Sequence, residues 1–214
     1  MRKVVLASGS PRRTAILSAL GVPHEVRESG YDEEKIVFDD PIEMVEELAL
    51  QKALVVAREV EDALVIGGDT TVYVEGQILT KPVDSWDAER MIRLLMGKTH
   101  RCITGVAVFD SLTGERVVGN EEGEITFRSL SEEEVKIYIE SEAWRGFAGA
   151  YAVQGRASAW VVSQAGVTSA IYGMPIVLTA SLLEQMGYQV ETDPREVEEW
   201  AKGQKIGLVG TGNE

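Results

Sequence analysis

The chain has 214 residues, 44% of them hydrophobic, and a formal net charge of −14. That length suits one large α/β domain or two small lobes, and the apolar content fills a substantial core, which excludes a globally disordered chain. The acidic balance excludes a broad basic face for nucleic acid, so any polyanion has to be met by positive charge concentrated locally.

The single cysteine, Cys102, leaves no intramolecular disulfide and no thiolate cluster, and His24 and His100 alone make no histidine-rich metal site. A metal, if used, is a hard cation on carboxylates. No apolar run approaches the length of a membrane span, and Ser8, Gly9, Ser10 and Arg12 cut short the apolar stretch that follows Met1-Arg2-Lys3. The expectation is a soluble, cytoplasmic protein with neither a membrane nor a nucleic acid as partner.

In chain order, Val4-Val5-Leu6 reads as a buried strand, followed by the small-residue turn Ala7-Ser8-Gly9-Ser10. Ser10-Pro11 then reads as an N-cap with proline at the first helical position, and Ile16, Leu17 and Leu20 recur at helical spacing up to Gly21. Free backbone N–H groups, the positive helix end and the guanidinium groups of Arg12 and Arg13 are expected to converge on one anion, with polyphosphate as the natural occupant. Cations oppose the dipole at a helix start unless an anion joins them.

Residues 22–29 read as a second strand, followed by a polar loop with Asp32, Glu33 and Glu34. From Pro41 to about Val60, the residues Val45, Leu48, Ala49, Ala53, Val56 and Ala57 form a helical apolar stripe. Lys52, beside that stripe, reads on its own as a solvated helix residue. The run 63–74 reads as a strand broken at Gly67-Gly68 by a bulge or a close backbone approach, which leaves Asp69 exposed at a strand edge. The turn Glu75-Gly76-Gln77 folds the chain back through Ile78-Leu79-Thr80, carrying Lys81 towards Asp69.

A helix capped at Asp84 or Ser85 runs to Gly97, and strands over 101–109 and 116–128 follow, joined by a turn at 111–114. Ser131 to Glu134 spells a capping box for a helix to about Ile139. The stretch 146–155 is too rich in small residues for a smooth strand and reads as a loop pressed against a ligand or a neighbouring backbone. A strand over 158–163 and a helix from about Pro175 to Met186 complete the pattern of one α/β domain over 1–190. Residues 191–214, charged and then glycine-rich, read as an extension that is partly disordered, with a short helix and a frayed tail.

Basic Arg12, Arg13, Lys52 and Lys81 and acidic Asp32, Glu33 and Asp69 thus gather at strand ends and loops. Metal-assisted attack on a phosphoanhydride needs both sets, cations for the phosphates and carboxylates for the metal and the water. Taken singly, each has an equally good structural account; Asp69 alone is explained by a turn cap.

The segments Ser8-Gly9-Ser10-Pro11-Arg12-Arg13, Gln51-Lys52-Ala53, Gly68-Asp69-Thr70, Lys81-Pro82, Thr104-Gly105-Val106 and 148–155, in this order and spacing, resemble the Maf family from residue 3 to about 190. The resemblance implies a fold like that of the inosine triphosphate pyrophosphatases: an elongated mixed sheet flanked by helices, with an active-site cleft between two lobes. It implies hydrolysis of a nucleoside triphosphate to the monophosphate and pyrophosphate with a divalent cation (Mg²⁺, Mn²⁺ or Co²⁺), and it admits a homodimer. The general base falls on Asp69, phosphate binding on Ser8, Arg12, Arg13, Lys52 and Lys81, and the metal on Glu33 and Asp69. Arg12, Thr70 and Gln154 match the branch acting on dTTP and UTP rather than on 7-methyl-GTP. The Gln154 amide offers one donor and one acceptor to the O4/N3–H edge of uracil or thymine. Gly9, where a larger residue is common, and Ala152, where glycine is usual, depart from the family pattern. His100 reads as structural and Cys102 as a small buried hydrophobe. Competing readings are a 7-methyl-GTP-type pyrophosphatase, a nucleotidyltransferase, whose loops carry more glycines than this one, and a non-catalytic nucleotide-binding regulator of division.

Overall fold

The computed structural model describes residues 2–33 and 38–203; Glu34 of the acidic loop and the glycine-rich stretch 204–214 lie outside them. Strands β1 (Lys3–Leu6), β2 (Glu25–Val26), β3 (Ala63–Val74), β4 (Gln77–Leu79), β5 (Thr99–Asp110), β6 (Arg116–Phe127) and β7 (Val161–Gly166) form one seven-stranded sheet. Its order is β2-β1-β3-β5-β6-β7, with β4 added to β3. β1 is parallel to β2 and β3, and the other pairings are antiparallel, so the sheet is mixed.

The helices are α1 (Pro11–Ala19), α2 (Pro41–Ala57), α3 (Ser85–Leu95), α4 (Glu132–Glu140), α5 (Thr168–Ile171), α6 (Ile176–Gln185) and α7 (Pro194–Gly203). Their starts follow local chemistry. Asp40 accepts from the backbone N–H groups of Ile42 and Glu43 at 2.7 and 3.2 Å, Asp84 accepts from Asp87, and Ser131 and Glu134 close a capping box. Ser10 sits at the N-cap of α1 with Pro11 in the first turn, as the sequence predicts, although its side chain makes no capping bond.

Alternation along β1 and β3 explains their unbroken apolar runs. Val5, Ala7, Ala63 and Val65 pack under α2 with Ala53 and Val56, whereas Val4, Leu6, Leu64 and Ile66 face the larger core with residues of α1, α3 and α6. A strand buried on both faces has no polar side to show. The predicted strand over 22–29 shrinks to two exposed residues, Glu25 and Val26, which pair in register with Val5 and Leu6 of β1. The strand expected at 158–163 begins later, since a 3₁₀ turn occupies Arg156–Trp160. Helix α7 buries Val197 and Ala201 in the larger core. Among the described residues, no helix is long and apolar enough to cross a membrane.

One clamp locks the start of the chain to the β5–β6 turn. Arg2 donates both Nη groups to the Asp110 carboxylate at 2.7 Å each, and Asp110 also accepts from Leu112 N at 2.9 Å. These bonds, the Arg2 bond foremost, pull the Asp110 carboxyl well below its ordinary value despite burial. A carboxylate with a lowered folded pKa stabilises above the unfolded value, near 3.8 here, and that contribution is lost as the pH falls towards the folded value. Asp110→Asn is therefore expected to cost about 2 kcal/mol at pH 7, and progressively less below about pH 4. Melting temperatures of both proteins from pH 7 to pH 2 check this; parallel curves would rule the clamp out.

Candidate active site

β3 holds the centre. On one edge it pairs with β5 along nearly its whole length; on the other it pairs with β1 up to Ile66 and with β4 from Val72. Residues 67–71 lie between these neighbours, where β1 has ended and β4 has not begun. The strand itself is unbroken, and Gly67 and Gly68 carry no bulge but stay in register with Ala107 and Val106. Asp69 is consequently in mid-strand and buried at 5% exposure, rather than exposed at an edge as its sequence context suggests.

The glycines are there for close approach. A Cβ on Gly67 would strike the Ala49 carbonyl oxygen, and one on Gly105, the cross-strand partner of Asp69, would strike the Val45 carbonyl oxygen. Gly67, Asp69 and Gly105 share the sheet face under α2, so their small neighbours let the helix backbone settle directly beside Asp69. One turn on from Ala49, Lys52 then reaches Asp69 Oδ1 at 2.5 Å. Lys52 is buried at 7% exposure, not solvated.

Lys52 Nζ also lies 2.8 Å from Glu33 Oε1, which Lys81 Nζ meets at 2.8 Å from the far side. Glu33, Lys52, Asp69 and Lys81 thus form one alternating chain of charge. Burial raises the Glu33 pKa, but Lys52 and Lys81 outweigh it and bring the carboxyl down to about 2.

On the opposite sheet face, Arg13 lies over Gly68, where a Cβ would come within 3.3 Å of its Nε. Arg13 donates to the Gly173 carbonyl at 2.8 Å, to Ser8 Oγ at 3.0 Å and to Thr70 Oγ1 at 3.3 Å. Thr70 in turn meets Thr104 at 2.9 Å, and Thr104 donates to the Ala170 carbonyl. Burial lowers the Arg13 pKa, opposed by the charges of Asp69 and Glu33.

Arg12 parts company with Arg13. Its guanidinium sits over the Phe147 ring, 4.9 Å from the centroid, with Nε buried and unpaired. Burial, with Arg13 adding to it, pushes its pKa down to about 10. The expected convergence of both guanidinium groups is thus a division, one tied to the sheet and the other to the facing loop.

That facing loop carries Gln154. It is 9% exposed, with both Oε1 and Nε2 buried and the Tyr172 hydroxyl as the polar group beside them. The loop rests on an aromatic floor of Phe127, Tyr138, Tyr151 and Trp160 in edge-to-face contact, with the Tyr138 hydroxyl donating to the Ala150 carbonyl. His100, pushed down to about 4 chiefly by burial, bonds Tyr151 at 2.7 Å and belongs to this floor. Cys102 is buried beside it.

Ser8, Arg12, Arg13, Glu33, Lys52, Asp69, Thr70, Lys81 and Gln154 all line one cleft of about 1040 Å³. Asp32 does not line it. Sequence reasoning missed the Gly173 carbonyl, Phe147 and Glu28; no local pattern marks a partner 160 residues away from Arg13. Glu28 accounts for one departure from the expected loop, because its carboxylate fills the space a Cβ on Gly9 would take.

The family model described as "Maf-like protein" matches residues 3–186. A dTTP/UTP pyrophosphatase of Pelotomaculum thermopropionicum is 43% identical over 190 residues, covering 89% of this chain and 100% of that protein. Proteins of the same name from Symbiobacterium thermophilum and Bacillus cereus (strain ZK / E33L) are each 40% identical, covering 90% and 89% of this chain and 98% of each relative.

Proposed function

The chain belongs to the Maf-like protein family, and from that membership and the cleft we propose that it hydrolyses dTTP and UTP to the nucleoside monophosphate and pyrophosphate. The observation that carries the chemistry is the Glu33–Lys52–Asp69 chain, set where β3 runs between the end of β1 and the start of β4, in one cleft with Arg12 and Arg13. Asp69 Oδ1 is taken by Lys52, and Oδ2 accepts the proton as water attacks the α-phosphorus. The bond from that phosphorus to the bridging oxygen of the β-phosphate breaks, and pyrophosphate leaves against Arg12, Arg13 and Lys81. Ser8, whose Oγ accepts from Arg13 and from Ser10 N, fixes the first loop around the phosphates.

The donor set suits a hard divalent cation. Glu33 and Asp69 present carboxylate oxygens to one shared point, now spanned by Lys52, and Glu33 stays ionised at any neutral pH. Two carboxylates completed by phosphate oxygens and water match the way Mg²⁺ is usually held. When bound, such an ion neutralises charge on the phosphoanhydride and orients it.

Gln154 supports the choice of base. A uracil or thymine edge gives its buried amide a donor and an acceptor at once, and a site that leaves polar groups unpaired discriminates against bases that cannot satisfy them. Arg12 and Thr70 complete the branch-defining set.

The test is pyrophosphate release from dTTP, UTP, CTP, dGTP, ITP and 7-methyl-GTP with Mg²⁺, Mn²⁺ or Co²⁺. The expected result is dTTP and UTP turned over about tenfold faster than the rest. Preference for 7-methyl-GTP would overturn the base assignment, and silence throughout would overturn the reaction.

A further inference from the structure

Helix α7 begins at Pro194, beyond the family-matched stretch 3–186, yet it reaches the site through one buried serine. Glu198 Oε1 accepts from Ser169 N at 3.1 Å, and Glu198 Oε2 accepts from Ser169 Oγ. Ser169 is fully buried, and its Oγ also accepts from Ile176 N at 2.9 Å. Its carbonyl accepts from Met174 N at 3.1 Å, so Ser169 closes the turn between α5 and α6 on itself. Inside that turn stands Gly173, at φ 96°, a backbone state that L side chains rarely adopt. Its carbonyl receives Arg13 Nε at 2.8 Å. From the sheet side the turn is held by Thr104 at the Ala170 carbonyl, 2.7 Å. From the outer side it is held by Glu198.

We propose that Glu198 is a positioning residue for the triphosphate grip: by pinning Ser169 it fixes the Gly173 carbonyl, and with it the aim of the Arg13 guanidinium. The proposal rests on the reading that Arg13 holds the triphosphate. Arg13 gives its Nε to that carbonyl and its two Nη groups to the hydroxyls of Ser8 and Thr70, so a displaced carbonyl re-aims the whole planar fork. A misplacement on the ångström scale at a phosphate clamp is enough to cost catalysis heavily. Val197 and Ala201 of α7 are buried in the core, so the helix is expected to stay docked when the carboxylate is removed.

The experiment is a double-mutant cycle on dTTP hydrolysis with Glu198→Ala and Arg13→Lys, the lysine keeping the charge but losing the bond to Gly173. Glu198→Ala is expected to lower kcat/KM about tenfold in the wild-type background and less than about twofold beside Arg13→Lys. Glu198→Gln, which keeps an oxygen for Ser169 N–H, is expected to stay within about threefold of wild type. Equal losses in both backgrounds, or no loss in the first, overturn the proposal. Where Glu198→Ala melts below the assay temperature, Ser169→Ala replaces it in the same cycle, and the same results uphold or overturn the proposal. Calorimetric binding of inorganic tripolyphosphate separates this inference from the functional one. Weakening of about tenfold by Glu198→Ala in a protein that hydrolyses no nucleotide would uphold the positioning and refute the hydrolysis.

Discussion

Asp69→Asn is expected to lower turnover of dTTP about a thousandfold, roughly 4 kcal/mol in the barrier, with the fold intact. Asparagine has the size of aspartate and still presents an oxygen to Lys52, so the packing of α2 on the sheet survives. What disappears is the basic oxygen. The amide cannot accept the proton that water must lose, and Lys52 keeps Glu33 as an ion-pair partner, 2.8 Å away. The check is pyrophosphate release under single-turnover conditions, together with a melting curve. A variant that keeps more than about a tenth of wild-type turnover would remove Asp69 from the role of base.

Gly67→Ala carries the largest expected loss of stability. The new methyl group meets the Ala49 carbonyl oxygen and the Ala53 nitrogen, both backbone atoms of a helix that cannot turn aside as a side chain does. Either α2 lifts or β3 bends, at a cost of about 3 kcal/mol or more. For a chain of this length that is a fall of about 10 °C in melting temperature. Activity should fall further than stability, because lifting α2 also draws Lys52 away from Asp69. Gly203→Ala, where a Cβ meets nothing within 4 Å, is the matched control and should melt with the wild type. Equal melting temperatures for all three proteins would mean that the helix does not rest on the strand at this point.

Gly67 also marks where sequence reading stops. Elements whose cause is local were legible: the proline start of α1, the Asp40 and Asp84 caps, the Ser131–Glu134 box, and the stripe along α2. The hairpin turn was legible too, and with it the return of Lys81 towards the cleft that Asp69 lines, where it meets Glu33. Where the cause lies elsewhere in the chain, local pattern misleads. Two glycines inside a strand look like a break, because the α2 backbone over Gly67 and the Arg13 guanidinium over Gly68 both come from distant parts of the chain. Lys52 looks solvated, because its two carboxylate partners arrive from a loop and from a strand. The strand expected from residue 158 gives way to a turn, since Trp160 is drawn inward onto Tyr138 and Phe127. Arg13 offers no hint of its longest-range contact, a backbone carbonyl to which any residue type contributes the same atom.

The two walls of the cleft are packed by different means, and this has an evolutionary consequence. Asp69, Lys52 and Thr70 are rooted in β3 and α2, where neighbouring glycines admit no side chain and substitution is punished in stability and turnover together. Gln154 stands on a loop between two 3₁₀ turns, above aromatic rings that pack edge to face through side chains rather than against a helix backbone. A change at Gln154 is therefore expected to disturb the strand and helix of the first wall less than a change at Gly67 does. On the proposed reading, a lineage built on this plan drifts more readily in the base it accepts than in its reaction.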